Sequence, residues 1–445
     1  MKTRKIPKRI STAILNSLSA GVVPRIGLSY VAVGRKDEVE ALLQDLESIS
    51  EGGASFRFVV GRYGSGKSFT LQLLRNNAME RGFVVADADL SPVRRLVGSN
   101  RAGQGTYREL MRNLSTKTRP DGGALAAILE RWISGVQASV VKEMGLRPND
   151  EGFNDAVENK ILEVVSNMEG LVHGFDFANV ISTYWRGYRL DNDDMKDAAL
   201  RWLRGEFSTK TEARRALGNV RVIVNDNDWY DYIKLMARFV ADIGYKGLIL
   251  LIDEAVNLYK ISHSVSRNNN YEKLLSMFND TMQGKASHLG ILMGGTPLFV
   301  EDARRGLYSY EALRTRLATS RFSREGLKDT SGPIIRLHML SHNEIFLLLR
   351  RLLEVHSTHN KYESPLTTED LQAFMQEIVN RLGAEKLLTP REVVRDFISV
   401  LNLLQQNPDV TFGELIQAPD LQLLSTEEQL DTDVDRQAEF ADFTL

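Results

Sequence analysis

Eight consecutive residues constrain this chain more than any others. Gly61-Arg62-Tyr63-Gly64-Ser65-Gly66-Lys67-Ser68 satisfies the phosphate-loop pattern G-x-x-x-x-G-K-[ST] at every position. The surroundings suit it. Phe56–Val60 is a short apolar run that predicts a buried strand, and Ser68–Asn77, with leucines at 71, 73 and 74, predicts a helix. Glycines allow backbone dihedrals that a side chain forbids, so successive N–H groups can turn toward phosphate oxygens. The dipole at the start of the helix favours the same anion. In this pattern Gly61, Gly64, Ser65 and Gly66 form the cradle and Phe69 follows it into the helix. Lys67 reaches the outer phosphates of a nucleoside triphosphate, and the Ser68 hydroxyl ligates Mg2+.

The chain has 445 residues, enough for more than one hydrophobic core. Its net charge of −2 means that any nucleic-acid contact must come from a local patch. Cysteine is absent, which excludes disulfides and thiolate metal sites and fits a cytoplasmic location. The basic arm at residues 2–9 is not followed by the apolar segment of a signal peptide, since Ser, Thr and Asn interrupt Ile10–Val23. No apolar run approaches the ~20 residues that span a bilayer. The histidines show no metal-ligand spacing with carboxylates.

Read in order, the pattern is that of an α/β protein. Ile10–Ala20 predicts a short helix stopped by Gly21 and Pro24, and Val33-Gly34-Arg35 leads into an amphipathic helix over Asp37–Ser48. Gly82–Leu90 predicts a second strand, with Asp87 and Asp89 at its end. Those acids either help arrange a magnesium shell or satisfy loop backbone groups. From about 91 to 242 the spacing is largely helical, far more chain than a minimal phosphate-loop core needs there, so an inserted helical subdomain is expected. Its arginines (108, 112, 201, 204, 214, 215) are interspersed with acids, which suits a solvated face or a binding surface. Gly247–Glu254 (GLILLIDE) predicts a buried parallel strand ending in Asp253-Glu254. Asp253 can hold magnesium through water, and Glu254 can polarise an attacking water. Leu289–Gly295 predicts another buried strand, ending at Thr296, and Pro333–Leu337 the last one. Between them lies Asp302–Leu317, with Arg314 and Arg316 near a helix end. Helices over Ser341–His356, Thr367–Leu382 and Thr389–Leu404 form a lid, with Thr389 as N-cap and Pro390 in the first turn. An acidic tail ends the chain. The expected layout is therefore an arm and helix over 1–32, a core over 33–337 containing the insertion, a lid over 338–420 and a tail over 421–445.

This order of motifs resembles the AAA+ ATPases of the origin-recognition and Cdc6-like branch. Several strings are closer still to the ATP-binding proteins of BREX phage-defence systems, the BrxD-like group related to the ATPase region of BrxC. They are Ala20-Gly-Val-Val-Pro24, Val33-Gly-Arg35, Ala199-Leu-Arg-Trp-Leu-Arg-Gly205, Gly244-Tyr-Lys-Gly-Leu248, Gly295-Thr-Pro297, Arg305-Gly-Leu-Tyr-Ser-Tyr-Glu-Ala-Leu313 and Thr389-Pro-Arg-Glu392. The resemblance runs from about residue 10 to 405. It implies ATP as the nucleotide, with Arg35 near the adenine, Thr296 as first sensor, Arg391 as second sensor and Arg316 (Arg314 as second choice) as a finger reaching a neighbouring subunit. It also implies an ATP-dependent homo-oligomer that works beside a helicase or other defence components, with DNA as an expected surface. The chain after the lid is short and acidic, which does not suit a C-terminal winged helix, so sequence-specific duplex recognition is not expected. Two other readings share the nucleotide motifs: a nucleotide-switched adaptor that only recruits partners, and a transposition-type AAA+ regulator.

Overall fold

A computed structural model describes residues 6–168, 170–318, 329–364, 366–382 and 389–416. The first residues of the basic arm and the acidic tail lie outside this range.

Five parallel strands form one sheet: β1 (Ala54–Gly61), β2 (Val84–Asp89), β3 (Leu248–Asp253), β4 (Leu289–Gly295) and β5 (Ile334–Leu337), in the order β2-β3-β4-β1-β5. Strands buried on both faces read as unbroken apolar runs, which is why LILLID and LGILMG carry no alternation. The order places the end of β4 between those of β1 and β3, and pairs Asp89 of β2 with Asp253 of β3. The expected P-loop NTPase architecture is therefore present, with each predicted strand within a few residues of its place.

One face of the sheet is covered by helices Lys36–Ser50 and Lys67–Glu80, whose Leu42, Leu46, Leu71 and Leu74 pack on Val59 and Ile249. The other face carries Phe56, Phe58, Leu250 and Met293. Against it lie helix Ser264–Met282 and the helices between β2 and β3, from Ala102–Arg112 to Trp229–Asp242. The insertion is continuous with the sheet. Tyr107, Trp202, Trp229 and Phe239 are buried in one cluster with the strand residues, and Phe56 meets Phe278 at 5.8 Å between ring centroids.

A separate, smaller core holds the lid. Leu349, Leu352, Phe374, Phe397 and Leu401 come from helices His342–Asn360, Thr368–Leu382 and Pro390–Gln406. Ile14 and Leu15 of helix Lys8–Ser19, with Val31 and Val33, complete it, so the N-terminal helix packs among the lid helices. Ser341 and Glu344 form a reciprocal capping box that starts the first lid helix. No helix among the described residues is long and apolar enough to cross a membrane.

Candidate nucleotide site

The loop between β1 and helix Lys67–Glu80 lies at the carboxyl ends of the strands, where open α/β sheets place their sites. Gly64 and Gly66 adopt φ of 75° and 88°, the left-handed region that favours glycine. A Cβ on Gly64 would stand 2.8 Å from the Thr389 side chain, so the lid rests directly on the loop. A Cβ on Gly66 would meet nothing within 4 Å, which leaves that side of the cradle open.

Lys67 Nζ donates to the carbonyls of Gly61 (3.0 Å) and Arg62 (3.1 Å). Burial lowers its pKa, and the charges of Asp253 and Glu254 oppose that shift. The Ser68 hydroxyl donates to Asp253 Oδ2 at 2.7 Å, which joins the loop to the tip of β3. The other oxygen, Asp253 Oδ1, accepts the Glu254 N–H at 2.8 Å. Glu254 has φ of 57°, an uncommon conformation for a residue with a side chain. Ala255 N–H donates to the Gly294 carbonyl (3.0 Å), and a Cβ on Gly294 would stand 2.3 Å from Asp253 Oδ1. Glycine at the end of β4 thus leaves room for the carboxylate. Asp89, beside Asp253, has a raised pKa through burial first and then through Asp253, Glu254 and Asp87. Asp87 itself pairs with the Arg75 side chain at 3.2 Å, which is neither of the two roles expected for the acids of β2.

Some of these groups line a cavity of about 260 Å³. Gly64, Ser65, Gly66, Lys67, Ser68 and Phe69 form one side with Glu254. Val22, Val23, Val31, Val33, Leu340 and Val394 form an apolar wall on the other. Arg35 and Arg391 border both. Arg35 donates to the carbonyls of Ser65 (3.1 Å) and His338, so it braces the phosphate loop against the end of β5. Its pKa is lowered by burial and supported by Glu38 and Glu344. Arg391 donates to the Tyr63 hydroxyl at 2.6 Å and lies 5.5 Å from the centre of that ring. Its stem passes close to Gly21, where a Cβ would stand 3.5 Å away. A larger cleft of about 940 Å³, bounded by Trp132, Lys160 and Tyr245, contains none of the phosphate-loop residues.

Other candidates lie elsewhere. Thr296 stands at the tip of β4, where its hydroxyl accepts the Phe299 N–H at 3.3 Å and caps a short helix; it does not line the cavity. Arg316 is exposed, with Nε donating to Asn279 Oδ1 at 2.9 Å, and Arg314 stands 3.8 Å from Glu311. Neither lines the cavity of its own chain. Thr389 caps its helix by position only, since its hydroxyl donates to Glu392 Oε2 (2.9 Å). Sequence reasoning missed Tyr63 and the valine wall. The string Gly21-Val-Val-Pro24 carried the signal, but its partners are more than 300 positions away at Leu340 and Val394.

Among the described residues, no three His, Asp or Glu side chains converge to hold a metal by themselves. Magnesium on a triphosphate keeps one or two protein ligands and fills its shell with phosphate and water oxygens. Ser68 and Asp253, already in contact, have the chemistry for it.

The family described as BREX system ATP-binding protein BrxC/D matches residues 6–420. No curated protein matches the chain. The chain belongs to the BREX BrxC/D family of ATP-binding proteins.

Proposed function

We propose that this ATP-binding protein hydrolyses ATP, with magnesium as its cofactor, and that ATP joins copies of the chain into an assembly acting on DNA or on a partner of the defence system. The observation that supports hydrolysis best is the Ser68–Asp253 hydrogen bond, with Lys67 and Glu254 on the same cavity. A site that only held nucleotide would have little use for an additional carboxylate at Glu254.

In this reading Lys67 releases its two carbonyl partners and binds the outer phosphate oxygens. Magnesium, when bound at Ser68 and Asp253, neutralises charge on those oxygens. Glu254 takes the proton of the attacking water as the water oxygen bonds to phosphorus and the bond to the leaving ADP oxygen breaks. Its left-handed backbone, held by the Asp253 carboxylate and by Gly294 behind it, fixes where the side chain starts. Arg35 keeps the loop in place from below, and the valine wall takes the base. Arg316 is exposed and outside its own cavity, as a group serving a neighbouring copy would be.

The test is ATP turnover against protein concentration. Specific activity of the wild type should rise with concentration, while Arg316→Ala should bind ATP normally and stay low. Equal rise in both would remove Arg316 from the site and make Arg314→Ala the next variant. ATP binding with no turnover at any concentration would overturn hydrolysis in favour of the adaptor reading.

A further inference from the structure

Two short segments of the insertion concentrate positive charge in a chain whose net charge is −2. Residues 92–112 contain Arg94, Arg95, Arg101, Arg108 and Arg112 against the single acid Glu109. Residues 201–221 contain Arg201, Arg204, Lys210, Arg214, Arg215 and Arg221 against Glu206 and Glu212. The fold brings the two segments together. Arg101 donates to the Ser208 carbonyl (3.2 Å), Arg108 to the Gly205 carbonyl (2.7 Å), and Arg112 pairs with Glu206 (3.1 Å).

Arg108 and Arg112, one turn apart, share a face of helix Ala102–Arg112, and Arg101 stands at its N-cap. Asp226, from outside the two segments, accepts the Gly98, Gly103 and Gln104 N–H groups at the start of the helix, and the acids within the segments are each paired. Glu206 is taken by Arg112, Glu212 by Arg201 (2.8 Å) and Glu109 by Arg94 (3.5 Å). Arg101, Arg108, Arg214 and Arg215 have no carboxylate within 4.0 Å among the described residues. Burial and then the like charge of Arg101 lower the Arg108 pKa, Glu206 opposes the shift, and Arg112 adds to it.

We propose that this arginine face, from Arg101 to Arg112 and on to Arg214 and Arg215, binds the phosphate backbone of duplex DNA without reading its sequence. The proposal rests on the DNA-engaging reading above and gives it a surface. Charge complementarity selects a polyanion. Single strands are usually held on exposed aromatic faces, and the aromatic residues of this row, Tyr107 and Phe207, are 1% exposed. Backbone contacts from arginine need no such platform. The segment leading into the row adjoins the tips of β2 and β3. Arg94 Nε donates to the Asp89 carbonyl (3.2 Å), and Asn257 Nδ2 donates to the carbonyls of Leu90 (2.9 Å) and Glu254 (3.2 Å).

The experiment is fluorescence anisotropy of labelled duplex with the full chain, with and without magnesium-ATP, at several salt concentrations. The variant is Arg101→Ala/Arg112→Ala/Arg215→Ala, with ATP binding as the check on folding and Arg215→Glu alone as a second, exposed substitution. The triple variant should bind duplex at least about tenfold more weakly, with a log–log salt slope shallower by about 2 to 3. Arg215→Glu should shift affinity in the same direction, and both variants should bind ATP as the wild type does. If the wild type binds duplex and both variants match it, the surface is wrong and the DNA reading stands. Wild-type protein that binds no duplex in either nucleotide state would overturn both. Preference for a single strand over duplex would overturn the choice of ligand.

Discussion

The two sides of the candidate nucleotide cavity are built in opposite ways. The side proposed for the phosphates is local: Gly61 to Phe69 is one turn of chain between β1 and the next helix, and Asp253-Glu254 is one strand tip. It stands on the large core, where sheet and insertion share one cluster. The side proposed for the base is assembled from distant pieces. Val22, Val23 and Val33 come from the beginning of the chain, Leu340 and Val394 from its last third, and they stand on the small lid core. Phosphate chemistry needs particular atoms at fixed spacing, so it leaves a motif. An apolar wall needs only surface and shape, so it leaves none.

That contrast can be broken at either side. Lys67→Ala should have the largest effect, lowering affinity for ATP and for inorganic tripolyphosphate alike by on the order of 100-fold. Calorimetry with both ligands checks it, and tripolyphosphate binding that survived the substitution would put the phosphates elsewhere. Val22→Asp, at an exposed position of the wall, should weaken ATP by about tenfold and leave tripolyphosphate unchanged. Loss of both ligands would mean that the wall shapes the loop and does not hold the base.

Gly34→Ala probes the joint between the two sides. Gly34 has φ of 61°, and a Cβ there would stand 2.3 Å from Glu344 Oε1. The variant should lose about 1 to 2 kcal/mol of stability and part of its ATP affinity, because Arg35 follows immediately. Thermal melts with and without ATP separate the two losses.

The smallest expected effect is a pH dependence confined to the lid. His356 is fully buried, with Nδ1 2.9 Å from the Tyr362 hydroxyl and Nε2 3.0 Å from Asn402 Oδ1. Burial lowers its pKa below the ordinary 6.5, Asn402 opposes the shift, and His359 adds to it. Above 6.5 both folded and unfolded forms are neutral and His356 contributes no pH dependence. As pH falls below 6.5 the unfolded form takes up the proton first, so the lid should lose stability. Hydrogen exchange in helix His342–Asn360 at pH 7 and pH 5.5 reads this, and His356→Gln should flatten the difference.

Much of the fold was legible because its elements announce themselves. The buried strands are unbroken apolar runs, Gly-Lys-Ser opens a helix, and a long helical stretch separates two strand motifs. Other features were beyond the pattern. Helix Lys8–Ser19 carries a lid-facing stripe of Ile14 and Leu15, but nothing in those residues names their partner some 380 positions away. The arginines of the insertion looked evenly balanced by acids along the chain. Only their pairing in space shows which acids are already used, as Glu206 is by Arg112. Thr296 and Thr389 illustrate the converse, since both occupy the positions expected while their hydroxyls serve local partners.

Hydrolysis is the central claim, and side-by-side phosphate release by the wild type and Glu254→Gln tests it most directly, with ATP binding measured on the same samples. Glu254→Gln should bind magnesium-ATP as well as the wild type and release phosphate more slowly by on the order of 10² to 10³. Equal release from both proteins would contradict it, because the catalytic carboxylate would then have to lie outside this cavity.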